Sequence, residues 1–465
     1  MAASHWINSE FSIPACYKAA CLSKENDRQR PRAGRHPSSQ MSLGFYIIMA
    51  AQFFSSLADN ALLVAAIALL IQSDSPGWLT PYLKFFFVIS YVVLAPFVGA
   101  FADRLPKGQV MLVSNSIKIV GCAMMLFSVN PLIAYAMVGL GAAAYSPAKY
   151  GILTEYLPPS RLVIANGWIE GLTVASIILG TVLGGVLVNV RVSGLLLNMD
   201  LPYIETGIDT PAEAAISLII FIYAIAAFFN LYVPNTGVPL KKLPANPVDT
   251  LKDFFACFRR LWADKLGQIS LAVTTLFWGA GATLQFIVIE WARHNLGFDL
   301  SRASILQGVV AFGIALGAVI ASARVKLHQS VRVIPLGIAM GLIVPVMVLV
   351  HSIWIAIPLM ILIGGLAGFF VVPMNALLQH RGHNLMGAGR SIAVQNFNEN
   401  SSILVMIATY SLLLGRGVPI TWVIVLFGFF VAGTMALVQR WFMLNRVRHA
   451  TEINRLLEIA RSEKR

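Results

Sequence analysis

Gly139-Leu-Gly-Ala-Ala-Ala-Tyr-Ser-Pro147 closes one apolar run of this chain, and Gly365-Leu-Ala-Gly-Phe-Phe-Val-Val-Pro373 closes another, 226 residues later. The same offset carries Asp59 onto Gln285, and a slightly larger one carries Glu170 onto Glu399. Any two membrane helices rich in glycine and proline look somewhat alike. Two independent features that share one offset point instead to an internal duplication. Working outward from this pair, the chain divides into two halves with six apolar runs each.

The runs lie at 43–71, 82–102, 110–129, 132–153, 162–189, 213–233, 267–291, 303–323, 331–350, 352–378, 388–414 and 418–442. Each reaches the ~20 residues that a helix needs to cross a hydrocarbon core. The composition agrees: 57% of residues are hydrophobic and 12% charged, against about 25% charged in soluble domains. Turn signals separate most runs: Ser-Pro-Gly at 75–77, Asn130-Pro131, Pro158-Pro159 and a proline-rich stretch at 234–247. The expected organisation is an N-terminal extension (1–40), a six-helix bundle (41–234), a basic linker (235–266), a second six-helix bundle (267–442) and a basic tail (443–465). Residues 1–40 are polar and basic, lack a signal-peptide pattern and read as disordered, with Met41 an alternative native start. The tail reads as a basic helix on the inner leaflet, with Trp441, Leu444, Ile453, Leu456 and Leu457 partly on one side.

A net charge of +13 invites a nucleic-acid partner, but the distribution excludes it. With both termini in the cytoplasm, 28 of the 34 Lys and Arg fall on the cytoplasmic side. The outside loops hold only Arg191, Arg293, Arg302 and Arg416, while Lys84 and Lys118 lie near or within runs. This is the positive-inside bias, so the charge reports topology and contact with anionic lipid. Cys16, Cys21, Cys122 and Cys257 form no Cys-x-x-Cys and offer no outside pair for a disulfide. No phosphate-binding loop, serine-hydrolase elbow or zinc-protease motif is present, so neither an enzyme nor a cofactor is expected. His294 and Asp299 fit the two-residue pattern of glycerolipid acyltransferases, but in a short outside loop with nothing else of that family around them.

Charged and amide side chains inside apolar runs are costly and mark function or internal pairing. The first run carries Asp59 and Asn60. Asp59 can bind a substrate ammonium, carry a proton or pair with a cation. Lys118 lies two to three turns into the third run, where internal pairing is expected. Lys149 ends the fourth run near the inner surface and can snorkel there, and Glu170 lies in the fifth. The eleventh run carries Gln395, Asn396, Asn398, Glu399 and Asn400, which need hydrogen-bond partners or a polar cavity. Gly180-x-x-x-Gly184, Gly313-x-x-x-Gly317 and Gly364-x-x-x-Gly368 predict close helix packing.

Between the second and third runs the chain reads Gly99-Ala-Phe-Ala-Asp103-Arg104-Leu-Pro-Lys107-Gly108. This resembles the loop motif of the major facilitator superfamily, and its small residues allow close helix packing. Asp103 can accept from a helix N-terminus or pair with a base, while Arg104 and Lys107 anchor the loop, so the segment can act as a gate. The fold implied is all-α: twelve transmembrane helices in two pseudo-symmetric six-helix bundles, the major facilitator fold.

A more specific likeness runs from about 47 to 440. Ala58-Asp-Asn-Ala-Leu-Leu63, Tyr145-Ser-Pro-Ala-Lys-Tyr-Gly151, Gly368-Phe-Phe-Val-Val-Pro-Met-Asn375 and Ala393-Val-Gln-Asn396 resemble the bacterial lysophospholipid transporters of that superfamily. The resemblance implies inward flipping of lysophospholipid, chiefly lysophosphatidylethanolamine, across the bacterial inner membrane. It also implies re-acylation by an acyltransferase/acyl carrier protein synthetase, expected here as a separate chain. Asp59 and Glu399 would then hold the ammonium. Lys118, Lys149 and the amides of the eleventh run would hold phosphate and hydroxyl, with the tail in an apolar groove. Gln285 stands where the family tends to carry Arg, which removes a charge from the site. The rival expectation is a facilitator of another small amphiphile or drug, proton-coupled through Asp59.

Overall fold

The computed structural model describes residues 42–72, 80–188, 210–240, 246–298 and 300–461. The N-terminal extension with Cys16 and Cys21, Met41, the 75–77 turn, Arg191 and Asp299 lie outside the described residues. No strand occurs among the described residues. The first half holds α1 (Leu43–Gln72), α2 (Thr80–Val93), α3 (Ala95–Arg104), α4 (Lys107–Leu126), α5 (Pro131–Tyr156), α6 (Leu162–Leu187) and α7 (Pro211–Leu231). A linker helix, α8 (Pro247–Ala263), follows. The second half holds α9 (Gly267–Leu296), α10 (Leu300–Arg324), α11 (Ile334–Ile343), α12 (Ile353–Met386), α13 (Ala388–Gly415) and α14 (Ile420–Arg448), and α15 (Ala450–Arg461) forms the tail.

Among the described residues, ten segments are long and apolar enough to cross a membrane. Two of them are not single α-helices: a 3-10 turn at Pro159–Arg161 precedes α6, and 3-10 turns at Leu327–Val333 and Val344–Leu349 flank α11. The second run forms α2 and α3, bent by 63° at Leu94. Pro96 explains the bend, because it has no N–H to continue the ladder and its ring crowds the preceding turn. The eleventh run forms α13, 28 residues long, which carries the polar stripe. Caps set several ends: Thr210 and Glu213 form a reciprocal capping box on α7, and Gly297 closes α9 at φ 65°.

The halves are built inside out relative to a soluble protein. Trp422, Phe429, Leu437 and Phe221 are exposed, while small residues fill the helix contacts. Around α1 the core is Ala58, Ala61, Leu62 and Ala65 against Val138, Ile219 and Tyr223. The glycine spacings do what close packing requires. A Cβ on Gly180 or Gly184 would sit 2.7–2.8 Å from backbone oxygens of α1, so α6 can seat the helix that carries Asp59. Gly364 and Gly313 likewise let α12 and α10 touch backbone to backbone.

The linker forms an amphipathic helix that the sequence reading did not anticipate. Asn246 accepts from the Val248 N–H at 3.1 Å and Pro247 opens the helix. Thr250, Phe254, Cys257 and Leu261 then fall on one buried face. That face joins Ala95 of the first half and Leu271, Leu378, Ala393 and Val394 of the second in one cluster. The tail helix α15 buries Ile453 and Ala460, and Trp441 stacks on Trp262 at 6.4 Å.

Candidate functional site

Each half holds a polar cluster, the first supplied by α1, α4, α5 and α7 and the second by α12 and α13. In the first, Lys118 Nζ donates to both carboxylate oxygens of Asp59 at 2.8 Å. Tyr223 donates to Asp59 at 2.6 Å. Lys118 also reaches Ser55 Oγ at 3.1 Å, and Ser55 donates to Asn115. The Lys118 ammonium stands 4.9 Å above the Tyr145 ring. Of the three roles open to Asp59, the structure displays pairing with a cation. The lysine side chain is 1% exposed and the carboxylate 22%, so the pair is reached from the aspartate side. Asn60 stands apart from this network: its amide turns back onto the Ser56 carbonyl at 2.8 Å.

In the second cluster Gln395 donates to Glu399 at 2.8 Å and to Asn375 at 2.6 Å. Glu399 is buried, and among the described residues no cation pairs with it. Asn396 crosses the junction and donates to Ser146 at 2.8 Å. Beside this crossing, the Lys149 ammonium lies over the Tyr150 ring at 4.6 Å. Glu170 is buried with one carboxylate oxygen unpartnered. Among the described residues, no ion pair joins Lys149, Glu170 and Glu399. Gln285 is placed elsewhere. Its amide donates to Gln307 of α10 at 3.1 Å, an exposed neutral pair. Glu290 and Arg293 form a separate exposed pair at 3.4 Å.

Toward the end of the molecule where basic residues gather, the halves are bonded together. Asp103 accepts from the Gly389 N–H at 2.7 Å, from the Arg390 N–H at 3.3 Å and from the Arg390 guanidinium at 3.3 Å. It thus sits at the positive end of α13. Lys107 binds Asp103 at 3.1 Å and Glu155 at 3.2 Å, whereas Arg104 is exposed. Gly99 makes the crossing possible, since a Cβ there would meet the Ala393 Cβ at 2.6 Å. Arg390 also donates to Asp253 of α8 at 2.6 Å. Asn166 and Gln379 exchange amide hydrogen bonds at 3.0 Å, and Thr154 meets His383 at 3.3 Å.

The sequence reading missed Tyr223, Asn115, Asn375, Arg390 and Asp253. Tyr223 and Asn115 carry no charge to betray them in an apolar run. Arg390 was counted only as one of the inner basic residues, although its place next to Gly389 at a helix start was the available signal.

Residues 48–403 match the family model described as Major Facilitator Superfamily. A relative in Yersinia enterocolitica (serotype O:8 / biotype 1B) named lysophospholipid transporter LplT is 42% identical over 381 residues, covering 82% of this chain and 89% of the relative. A protein of the same name in Yersinia pestis (strain Pestoides F) matches at the same identity and coverage. Among solved structures, a bacterial homologue of the iron transporter ferroportin in an outward-facing state superposes with a TM-score of 0.64 at 15% identity, covering 87% of this chain and 99% of that one. The transporter FucP in the outward conformation superposes with a TM-score of 0.63 at 13% identity, covering 86% and 98%. These two carry the fold alone. Together with the long apolar helices, the family match and the close relatives assign the family: this chain belongs to the major facilitator superfamily, in the branch whose members bear the name lysophospholipid transporter.

Proposed function

We propose that this chain flips lysophospholipids, chiefly lysophosphatidylethanolamine, from the outer to the inner leaflet of a bacterial inner membrane. Both termini lie in the cytoplasm, and a separate acyltransferase/acyl carrier protein synthetase re-acylates the arriving lipid. The relatives' name supports the substrate class. The observation that carries the head-group chemistry is the set of buried ionisable groups at the junction that no ion pair joins among the described residues. Lys149 is available for a phosphate, and Glu399 with Glu170 for an ammonium. A zwitterionic head supplies both partners at once, which relieves the cost of buried charge. Asp59 and Lys118 neutralise each other, so their role is to set the shape and potential of the first cluster. The same pairing counts against a proton-coupled drug carrier working through Asp59.

Purified protein in liposomes, given labelled lysophosphatidylethanolamine, tests the reading. Protected label should accumulate unaltered in the inner leaflet, and unlabelled lysolipid should compete. No transfer above protein-free liposomes, or recovery of chemically altered lipid, would overturn it. Imposed proton and sodium gradients in the same vesicles identify the coupling.

A further inference from the structure

Three arginines from three separate segments meet at the basic end of the second half. Arg332 lies in the 3-10 turn Leu327–Val333 that leads into α11, Arg446 in the last turn of α14, and Arg461 at the end of the tail helix. Together with His328 they line a concave pocket of about 580 Å³. Val331, Phe442, Met443 and Leu457 supply apolar lining. Among the described lining residues Glu458 is the single acid. His328 feels the fields of Arg461, Lys326 and Arg332 together, so their positive potentials overlap in this hollow.

The pocket's height matters as much as its charge. Leu327–Leu349 and Ile420–Arg448 are both long and apolar enough to cross a membrane. The hollow lies at the first turns of one and the last turns of the other, which is where head groups begin. On the same stretch of α14, Met443, Leu444 and Val447 are exposed and offer an apolar skirt. An ordinary excess of basic residues on one side of a membrane scatters its charges along loops. Convergence on one hollow that also has apolar lining suits a phosphate with hydrocarbon attached. A larger hollow of about 730 Å³ borders the tail helix elsewhere, but there Arg381 is paired with Asp264, and Glu452 also lines the hollow beside Arg455.

We propose that the Arg332–Arg446–Arg461 pocket holds an anionic phospholipid of the surrounding leaflet. Its phosphate sits among the guanidinium groups and its chains run past Met443 toward the membrane interior. This lipid is a resident one. The described lining belongs wholly to the second half and the tail, whereas the polar seam lies between the halves. The bound lipid fastens α15 to the membrane and to the start of α11.

The test uses the full chain in neutral detergent, titrated with phosphatidylglycerol or phosphatidylcholine, with adducts counted by native mass spectrometry. Phosphatidylglycerol should give one saturable adduct that phosphatidylcholine does not displace. Each single variant, R332Q, R446Q or R461Q, should weaken it about fivefold, and the triple variant about a hundredfold. R455Q removes the same charge from the same helix outside this pocket and should leave the affinity unchanged. The proposal fails if the triple variant binds like the parent, if R455Q loses as much, or if phosphatidylcholine competes equally. Should the triple variant not fold, the three single variants decide by the same criteria.

Discussion

Replacing Arg390 by glutamine asks whether charge holds the basic end shut. The guanidinium donates to Asp103 at 3.3 Å and to Asp253 at 2.6 Å. The Asp103 side chain is 5% exposed, so that arm counts as a buried charge-assisted hydrogen bond, about 1.5–3 kcal/mol. The Asp253 side chain is 40% exposed, so solvent screens the second arm to below about 1 kcal/mol. After substitution Asp103 keeps the Gly389 N–H and Lys107, and the larger penalty of an orphaned buried charge does not arise. The net loss is about 2 kcal/mol, or about thirtyfold in the ratio of open to closed molecules. Cys257 is a built-in reporter, because it is 3% exposed and the first half covers its cluster through Ala95, a cover that opening removes. With Cys16, Cys21 and Cys122 replaced, R390Q should raise the rate of maleimide labelling at Cys257 about thirtyfold. D253N removes only the screened arm and should raise it no more than about fivefold. A folded R390Q protein that labels at the parent rate refutes the idea that this arginine closes the end.

Asp59→Ala should lower the melting temperature sharply, because Lys118 is left buried and unpaired at a cost of about 3–5 kcal/mol. The apolar pair D59L/K118M should restore most of it, and a double variant no more stable than the single would deny the coupling. Glu399→Gln should cut liposome uptake of lysophosphatidylethanolamine at least about tenfold while sparing a lysolipid without an ammonium. Equal loss for both lipids would remove the ammonium role. Gly99→Val should keep the basic end from closing, since its Cβ falls 2.6 Å from Ala393, and cost about 1–3 kcal/mol of overpacking. Uptake should fall while Cys257 labelling rises, and normal uptake would show that this crossing is dispensable.

Span number and order were legible because an apolar run of bilayer length has few other uses in water or lipid. Even α13 was readable, though it is too polar to pass as a membrane span on hydropathy, because its flanks and its place in the duplication held. The pairing of Lys118 was half legible: a buried lysine demands a partner, but spacing along the chain does not name one 59 residues away. Asp59 left three roles open for the same reason. The linker helix was missed because its buried face is only four residues, and a basic, proline-containing stretch masks that periodicity. Gln285 was read through its repeat partner Asp59, yet local geometry sends its amide to Gln307 on the adjoining helix.

The seat of α8 decides where this polypeptide tolerates being severed. Phe254, Cys257 and Leu261 rest mainly on Leu271, Leu378, Ala393 and Val394, so α8 travels with what comes after it. Two fragments divided at 241–245 would each retain their own greasy cover and reassemble on co-expression. Division at 264–266 would leave three bare apolar side chains dangling from the first fragment, and that pair would aggregate before it met.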